Sequence, residues 1–523
     1  MPSTLDSLRR ELPGFRLGPF VAAALGIHLI AAWYNGGFLH PDEHYQIIEF
    51  AQYKIGRQSA AGLAWEFAAT MRPALQPWIA AGVIRLAEAF GIASPFVIAF
   101  ALRVGSTLLA LWVSFELCVR ACRAVTNPAL KLLALSVSFF FWITPTVHGR
   151  FSSENWGAAL LVAGLCLMID AADTWPARRT RAAVLAIGAG LAWSAAFYCR
   201  FQIGVAIAGA GLWLLVIRRA PLTLPLTIAV AFTVGCGLNE VLDHWLYGAW
   251  ALVPYNYFMV NVVRGKAAAF GTSPWWIVPV YFAVVLIPPY SVVVLALLAS
   301  GCWYGRRELL VWTAAPFVFL HAAVAHKEPR FLMPLLYFVG PLLAVSIQAL
   351  PQRLNTALLA WRHTSFGRAS ALTVCTVNVA LLCVAISVPA NDTYRLDRWL
   401  WEQSQRTDIT LYTVNMAPYH SPDSLTNTFY TSRHVVVSPV ETADQLHAAV
   451  SHGSAFVYYW GVDPPAFVTR VGTCTPVLRT FPVWLWRLLA PTTLLDVQVA
   501  TICRLDAKPG LVRAPSGRRR DLL

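Results

Sequence analysis

Eleven apolar runs, each about long enough to cross a lipid bilayer, constrain this chain more than any other feature of its sequence. A helix that spans the hydrocarbon core needs about 20 apolar residues, with a range of about 17–25. The runs cover residues 17–34, 96–118, 129–147, 156–172, 182–198, 201–217, 222–240, 275–299, 309–325, 331–350 and 371–389. They predict an α-helical polytopic membrane protein with about eleven spans.

The composition supports a membrane protein and argues against a soluble one. Of the 523 residues, 57% are hydrophobic and only 13% are charged, whereas a soluble globular protein carries about 25% charged residues. The net charge of +14 comes almost wholly from arginine, which fits the orientation of spans and contact with anionic membrane lipid. We find no nucleic-acid-binding motif in the sequence, so we expect no nucleic-acid partner.

Clusters of arginine between the runs predict how the spans are oriented. If the N-terminus is cytoplasmic, all of them fall on the cytoplasmic side, as the positive-inside rule requires. The clusters are Arg9/Arg10/Arg16, Arg120/Arg123, Arg178/Arg179/Arg181, Arg218/Arg219, Arg306/Arg307 and Arg353/Arg362/Arg368. The segment 72–91 also looks helical, but Arg85 and Glu88 interrupt it. We expect an amphipathic helix at the outer interface there, within a first outer loop at about 35–95.

The hydropathy divides the chain into a membrane domain, residues 1–390, and an outer-side soluble domain, residues 391–523. The second part alternates short β-rich runs, "ITLYTV", "RHVVVSP" and "AFVYYW", with turn residues and the helical stretch "ETADQLHAAVSHG". This pattern predicts a small α/β domain. The last residues, 513–523, have the composition of a disordered tail.

The ten cysteines include no CxxC pair and no Cys/His cluster, which argues against a zinc site or a redox pair. Most of them lie inside apolar runs, where cysteine behaves as a small hydrophobic residue. Cys474 and Cys503 instead lie in the polar C-terminal part. We expect these two to form a disulfide if the outer compartment is oxidising.

The motif "HPDEHYQ", residues 40–46, directly follows the first apolar run and admits two interpretations. Pro41 suits the first position of a helix, and Asp42 and Glu43 suit a first turn that favours negative charge. The same acids, placed at the outer membrane surface, are also candidates for a catalytic carboxylate. The local sequence does not choose between a helix start and a catalytic site.

Two further outer-face motifs carry charge, "HGRFSSENWG" at 148–157 and "HKEPRF" at 326–331. Arg150 and Glu154 in the first motif are consistent with a span start capped by a serine. In the second motif, Lys327 and Arg330 lie on the side where the orientation rule disfavours cations, which suggests a bound anion. The turn "CRFQ" places Arg200 on the same side, and Asp243 is a further acid there.

Carboxylates and cations at one membrane surface suit chemistry on a lipid-linked phosphosugar, whose phosphate lies at that depth. Cations there would hold the phosphate and stabilise it as a leaving group. A carboxylate would take the proton from the attacking sugar hydroxyl. Asp42 and Glu43 are neighbours on a helix and point in different directions, which favours one base and one in-line displacement.

These residues resemble the GT-C glycosyltransferases, which take sugars from polyprenyl-phosphate donors, and among them glycosyltransferase family 22. "HPDEHYQ" is similar to the first-loop motif of that family, and "HKEPRFLMPLLYF" to its His-Lys-Glu-x-Arg-Phe segment. "DHWLYGAWALVPYNYFMVNV", followed by "AAFGTSPWW", is similar to its long outer-loop signature. The matched blocks run in family order over about 38–345. The motif "CRFQ" lacks the proline expected after Arg200, and the C-terminal domain does not align.

The resemblance implies an inverting transfer of mannose from a polyprenyl phosphate mannose to a glycan or glycolipid acceptor, without a cofactor or metal ion. Asp42 would be the general base in that reaction. The residues expected to bind substrate are Glu43, Arg150, Glu154, Arg200, His326, Lys327 and Arg330. The arginine bias favours a bacterial inner membrane, or the ER membrane if the host is eukaryotic, with the active site on the periplasmic or lumenal side.

Two alternatives stay open at this stage. A GT-C enzyme that uses another sugar would show the same motifs, since nothing in the residues reads out the sugar. A polytopic transporter of lipid or sugar would place ionisable residues near the middle of the bilayer, whereas here they gather at one face.

Overall fold

The protein is described by a computed structural model that covers residues 15–414, 425–450, 455–489 and 499–507. The predicted tail at 513–523 and the basic pair Arg9/Arg10 lie outside these residues. Within them the chain folds into a helical part that carries all eleven apolar runs and, after it, a small sheet domain.

Seven of the described helices are long and apolar enough to cross a membrane. They are Leu17–Tyr34, Pro95–Ala121, Ser153–Thr174, Arg179–Cys199, Thr223–Tyr247, Pro329–Ala349 (whose first turns are a 3-10 helix, Pro329–Leu335) and Ser365–Ser387. Four shorter apolar helices are Pro128–Phe140, Ile203–Val216, Ser291–Tyr304 and Leu309–Ala323. The protein is therefore an integral membrane protein. Each predicted run overlaps one of these eleven helices, and whether the four shorter helices cross the membrane stays a prediction.

For two of the apolar runs, the prediction of a single helix is wrong. The run 275–299 contains two helices, Ile277–Val285 and Ser291–Tyr304. The residues between them include Pro288 and Pro289, which lack a backbone N–H and cannot continue a helical hydrogen-bond ladder. The run 129–147 likewise divides after Phe140, and a short helix, Thr144–His148, begins with Pro145 in its first turn.

The Ser153–Thr174 helix lies at the centre of the helical part, packed on Pro95–Ala121 and Arg179–Cys199. Its neighbours approach closely because glycine replaces a side chain at the crossing. A Cβ on Gly164 would lie 2.2 Å from the Trp193 ring, so no larger residue fits. This packing gives the Ser153 end of the helix a fixed position, and the candidate site lies there.

The first outer loop is built from short helices and one longer helix, Leu75–Ala89. This helix is amphipathic, as predicted for the segment 72–91. Its buried face includes Ala80 and Ile84, while Arg85 and Glu88 form an exposed ion pair. The other elements are Pro41–Glu43, a π-helical turn at His44–Ile48, Glu49–Lys54, Ala60–Gly62 and Trp65–Ala68. Irregular or short elements also occupy Cys122–Ala124, Val253–Phe258, Met259–Val263, Lys266–Phe270 and Gln352–Trp361.

The C-terminal domain contains a five-stranded mixed sheet in the order β2-β1-β3-β5-β4. The strands are β1 (Ile409–Val414), β2 (Val435–Pro439), β3 (Ala455–Trp460), β4 (Gly472–Arg479) and β5 (Ala500–Ala507). The domain's helices are Tyr394–Ser404, Ala443–Val450, Ala466–Val471 and Val483–Leu489. The first three strands coincide with the predicted β-rich runs, and the predicted helical membrane protein with a small C-terminal α/β domain is confirmed.

β1 pairs in parallel with both β2 and β3, whereas β5 is antiparallel to β3 and β4. A disulfide joins Cys474 on β4 to Cys503 on β5, with the two Cα atoms 5.5 Å apart. It therefore ties together the two strands that come last in the sequence.

Candidate active site

The motif at 40–46 begins a helix, and the same helix presents its acids in two directions. The Nδ1 atom of His40, the N-terminal cap, accepts a hydrogen bond from the backbone N–H of Asp42 at 3.2 Å. The helical turn Pro41–Glu43 then continues into the π-helical turn His44–Ile48. Asp42 faces a group of cations and amides, while Glu43 faces Arg150. The helix-start interpretation therefore holds, and it leaves Asp42 free for a chemical role.

Asp42 is held by partners from three parts of the chain. Its Oδ2 lies 2.9 Å from Nη2 of Arg330 and 3.8 Å from Nη2 of Arg72. Its Oδ1 accepts a hydrogen bond from Nε2 of Gln46 at 2.9 Å and lies 3.5 Å from Nδ1 of His40. Burial alone would raise the pKa of Asp42, but the contact with His40 and the charges of Arg72 and Arg330 hold it well below its usual range. Asp42 is therefore ionised.

Glu43 braces the first loop instead of facing the same opening. Its Oε2 accepts a hydrogen bond from Nε of Arg150 at 3.0 Å. Arg150 donates its other nitrogens to the carbonyls of Asn35 and Gly37, so its guanidinium is fully engaged. Burial outweighs the neighbouring charge of Arg150 and raises the pKa of Glu43. Both side chains line a small cavity of about 40 Å³ beneath the loop.

Exposure separates Asp42 from Glu43 and Glu154, although Glu328, which is bound to Arg330 and His326, is also 25% exposed. The side chain of Asp42 is 28% exposed, against 8% for Glu43 and 4% for Glu154. A general base must be reached by the hydroxyl that it deprotonates. Of these three acids, Asp42 is the one that a substrate can reach without moving the protein.

Arg330 connects the turn at 326–330 to the first loop. Besides Asp42 it contacts Oε1 of Glu154 at 3.5 Å and donates from Nε to Oε2 of Glu328 at 2.5 Å. Glu328 in turn contacts Nε2 of His326 at 2.8 Å and Nε2 of His40 at 3.5 Å. Burial would raise the pKa of Glu328, but Arg330 and His326 lower it. Two contacts therefore join this turn to the first loop. Arg330 contacts Asp42, and Glu328 contacts His40.

Arg200 is a buried cation of the site with two hydrogen-bond donors that remain unpaired. It is buried at 7% exposure, and its Nη1 donates to Oε1 of Glu154 at 2.7 Å. Its guanidinium lies over the ring of Phe331, 4.9 Å from the centroid. The atoms Nε and Nη2 of Arg200 have no hydrogen-bond partner among the described residues. Buried donors of this kind are almost always satisfied, so these two nitrogens are available to an acceptor that binds beside them.

Lys327 lies in the same turn but its ammonium has a different environment. It donates to the carbonyl of Ser273 at 2.7 Å and to that of Val324. The salt bridges found among the described residues include none to Lys327. Ser273 also donates its backbone N–H to the carbonyl of Ala325 at 3.0 Å. Lys327 therefore holds the end of the 248–276 loop against the turn.

A sequence model of the Alg9-like mannosyltransferase family matches residues 20–394, which is most of the chain and includes all of these site residues. This chain belongs to that family. The resemblance to glycosyltransferase family 22 is confirmed.

The chain is also similar to named members of the Alg9-like family. It is 26% identical to GPI mannosyltransferase 3 of Gibberella zeae over 61% of this chain and 57% of the relative. It is 25% identical to the protein of the same name from Yarrowia lipolytica, over 62% and 61%. A shorter match, 29% identical over 27% and 25%, is to a probable Dol-P-Man:Man(7)GlcNAc(2)-PP-Dol alpha-1,6-mannosyltransferase of Schizosaccharomyces pombe. The first two matches span about three fifths of each relative.

Among solved structures, the chain resembles ArnT from Cupriavidus metallidurans bound to undecaprenyl phosphate. The two are 16% identical, and the overlap covers 95% of this chain and 99% of ArnT with a TM-score of 0.49. An oligosaccharyltransferase of Archaeoglobus fulgidus overlaps 81% of this chain and 64% of its own, with 11% identity and a TM-score of 0.46. Both scores are below 0.5, so the family assignment rests on the sequence match.

In this family member, sequence reasoning missed a second acid and its arginine beside Asp42. The side-chain amide of Gln46 donates to Asp42 and also to Oε1 of Glu66 at 2.9 Å. Nη2 of Arg72 lies 3.4 Å from the same Glu66 oxygen. Burial raises the pKa of Glu66 although the charge of Arg72 opposes it. In the sequence, Glu66 and Arg72 are visible as two charged residues of the first outer loop, but no recognisable motif surrounds them.

Asp243 proves to have a structural role. Its Oδ1 accepts a hydrogen bond at 2.6 Å from the backbone N–H of Ala74, the residue that caps the Leu75–Ala89 helix. It is fully buried and has no ion pair with Arg72 or Arg330 among the described contacts. The expectation that Asp243 joins the other acids at the surface is therefore wrong, because the carboxylate is used to begin a loop helix.

Within residues 15–414, 425–450, 455–489 and 499–507, no three His, Cys, Asp or Glu side chains form a group that could hold a metal ion. The partners of Asp42 are arginine, histidine and amide side chains.

Proposed function

We propose that this protein transfers a mannosyl residue from a polyprenyl-phosphate-linked donor to a glycan or glycolipid acceptor. The observation that carries the proposal is Asp42, an ionised and partly exposed carboxylate held beside Arg330. Membership of the Alg9-like mannosyltransferase family supports the sugar. The S. pombe relative is named for a Dol-P-Man donor and the G. zeae relative for GPI, which supports the donor and the acceptor classes.

The proposed reaction is a single displacement at the anomeric carbon of the donor sugar. Asp42 accepts the proton of an acceptor hydroxyl as its oxygen forms a bond to that carbon. The bond between the anomeric carbon and the phosphate oxygen breaks, and the phosphate leaves with the electron pair. Attack opposite the leaving group inverts the configuration. Glu43 is bound to Arg150 and is buried, so it does not face the same bond as a nucleophile would.

Arg200 and Arg330 are the proposed cations for the donor phosphate, with Lys327 and His326 beside them in the turn. Arg200 has two unpaired nitrogens, and Arg330 is shared by three carboxylates. A phosphate that binds Arg330 competes with Asp42 for the guanidinium. Donor binding would then free the Asp42 oxygen and raise its affinity for a proton, which is what a general base requires.

We propose that the site faces the periplasm or the ER lumen, because the arginine clusters predict that orientation of the spans. We also propose that the transfer needs no divalent ion, because arginines stand where a metal ion would neutralise the phosphate.

The test is transfer by the full-length purified protein in lipid nanodiscs, with lipid extract of the host membrane as the acceptor pool. Polyprenyl phosphate mannose, glucose and aminoarabinose, each radiolabelled, are compared as donors with and without EDTA. The expected result is transfer of mannose alone, unchanged by EDTA. Transfer of another sugar would overturn the donor assignment, and strict dependence on a divalent ion would overturn the metal-free mechanism. In a parallel reconstitution into sealed liposomes, movement of label across the membrane without transfer would indicate a transporter.

A further inference from the structure

A wholly buried acid lies seven residues after Asp42 and has its partners in the C-terminal domain. Glu49 is 0% exposed. Its Oε1 accepts hydrogen bonds from the backbone N–H groups of Thr428 and Phe429, at 2.9 and 3.0 Å. Its Oε2 accepts from the hydroxyl of Thr428 at 2.5 Å. The donors belong to a segment that is almost 380 residues away in sequence.

His44 joins the same arrangement from the π-helical turn. Its Nε2 lies 2.9 Å from Oε1 of Glu49 and 3.1 Å from Oδ1 of Asn427. Both of these atoms are acceptors, and Oδ1 of Asn427 also accepts from the backbone N–H of Tyr430, so Nε2 of His44 carries the hydrogen. The ring stacks between Phe38 and Tyr430, with centroids 5.3 and 5.4 Å away. We call Glu49, His44, Asn427 and Thr428 the Glu49 clasp.

The Glu49 clasp matters because the helical segment that carries Asp42 is too short and irregular to set its own orientation. Pro41–Glu43 is its first turn, which passes through the π-helical turn into Glu49–Lys54, and a segment of about 14 residues is only marginally stable on its own. Its orientation must come from tertiary contacts. Arg330 and Gln46 hold Asp42 from one side, and the Glu49 clasp holds the chain two residues further on.

We propose that the C-terminal domain positions the catalytic carboxylate through the Glu49 clasp. Thr428 and Asn427 fix Glu49 and His44, and these positioning residues hold the Asp42 turn opposite Arg330. The inference rests on the proposed role of Asp42. It gives the C-terminal domain, which did not align with the family, a part in the transfer reaction. Misplacement of a reacting group by about 1 Å can cost about 100-fold in rate.

Two near-isosteric variants test the inference in the full-length protein. Thr428→Val removes the hydroxyl that binds Glu49, and Glu49→Gln replaces an acceptor oxygen with a donor. We expect kcat to fall about 10-fold to 100-fold, with the donor KM changed by less than about 2-fold. The matched control is Thr442→Val, in the same domain, whose hydroxyl accepts from the Gln445 N–H at 3.3 Å. It weakens a helix cap but touches no residue of the first loop, so turnover should be unchanged.

Hydrogen exchange provides the second readout and needs no substrate. Peptides covering 40–50 should exchange faster in Thr428→Val and Glu49→Gln than in wild type or Thr442→Val. Unchanged exchange, or faster exchange with normal kcat, would overturn the inference. An equal loss of turnover in Thr442→Val would overturn it as well, since domain stability would then explain the effect. Should Glu49→Gln not fold, Thr428→Val decides.

The two proposals fail in different ways. A wild-type protein that transfers no mannose defeats the proposed function, and the exchange result still reports whether the Glu49 clasp holds the first loop. A mannosyltransferase with normal kcat in Thr428→Val and Glu49→Gln defeats only the positioning role.

Discussion

The Ser153–Thr174 helix carries an acid–arginine cluster at each end, and the two clusters differ in how completely their charges are paired. At one end Glu154 contacts Arg200 and Arg330. At the other end Asp170 and Asp173 are paired with arginines from neighbouring helices. Both ends pair carboxylates of one helix with arginines, so the two clusters can be compared by how their side chains are arranged.

At the far end, no arginine nitrogen is both buried and unpaired among the described residues. Arg120 meets Asp170 through two parallel hydrogen bonds, Nε to Oδ1 at 3.0 Å and Nη2 to Oδ2 at 2.6 Å. Arg218 and Asp173 are partly exposed and lie 2.9 Å apart. Two parallel hydrogen bonds of the Arg120–Asp170 kind fix the geometry of an arginine–carboxylate pair.

The Glu154 end is unsaturated and buried. Two nitrogens of Arg200 and Nε of Arg72 lack partners among the described residues, while Arg330 is divided among three acids. An arginine–carboxylate pair by itself therefore does not indicate function. Buried and unpaired arginine nitrogens distinguish the Glu154 end from the far end, and a buried donor without a partner costs stability.

The largest difference in turnover is expected between a substitution of Asp42 and the same substitution of Asp170, an acid at the far end of the Ser153–Thr174 helix. Asp42→Asn should lower kcat by about 10²–10⁴-fold, because the amide cannot accept the hydroxyl proton, and donor binding should persist. Asp170→Asn should lower the melting temperature and leave kcat per folded molecule unchanged. Steady-state kinetics normalised to folded protein, together with thermal unfolding, provide the measurement. Near-wild-type turnover in Asp42→Asn would remove Asp42 from the mechanism.

Replacing an arginine by lysine should also have different effects on donor binding at the two ends of the helix. Arg200→Lys keeps a charge beside Glu154 but cannot offer the unpaired Nε and Nη2 to a phosphate. A hydrogen bond to a charged group is worth about 1.5–3 kcal/mol, so donor affinity and kcat should each fall about 10-fold or more. Arg218→Lys, at the far end, should have no effect. Equal donor titrations of the two variants would contradict the distinction.

Lys327 should give a smaller effect than Arg200, because its ammonium already holds two carbonyls. Lys327→Ala is expected to change kcat and donor KM by about 3-fold to 10-fold, which is the size of one modest hydrogen bond. The acceptor KM should not change. Kinetics with donor and acceptor varied separately measure this. Normal donor kinetics with reduced folded yield would make Lys327 a cap of the turn only.

The smallest effect at neutral pH is expected for Arg72→Gln, and it should appear as a shift in pH dependence. The charge of Arg72 lowers the pKa of Asp42, so its removal raises that pKa, by about 1–3 units for a close charge. Activity should then be lost at a higher pH on the acid side, while turnover near pH 7 is nearly unchanged. A kcat/KM profile carried below about pH 4, as far as the protein stays folded, measures the shift, because the pKa of Asp42 starts well below its usual value. Arg57→Gln, in the same loop, is the control. An acid limb that stays in place would show that Arg72 does not act on Asp42.

The apolar runs were sufficient to predict most of the helices, because burial in lipid demands long uninterrupted apolar segments. They failed where the chain breaks inside a run, at Pro288–Pro289 and before Pro145, since hydropathy does not report backbone hydrogen bonds. In the C-terminal domain, alternating residues predicted β1–β3. The rest of the sheet was not assigned from the sequence.

The site was partly predictable for a similar reason. Asp42, Glu154, Arg200 and Arg330 lie at outer ends of apolar runs, and the orientation rule brings such ends to one surface. Glu66 and Arg72 could not be found this way, because their place beside Asp42 depends on how the first loop folds. The contact between Glu49 and Thr428 depends on two domains that share no local pattern.

The order in which the chain is made gives the contact between Asp42 and Arg330 a further consequence. A membrane protein emerges from the ribosome N-terminus first, at about 5–20 residues per second. The first loop is therefore made roughly tens of seconds before residue 330 exists, and longer still before Thr428 does. During that interval Asp42 has neither Arg330 nor the contacts of the C-terminal domain beside its helix. On the proposed mechanism, a chain that stalls before these residues has an incomplete site, so transfer begins only after synthesis has passed them.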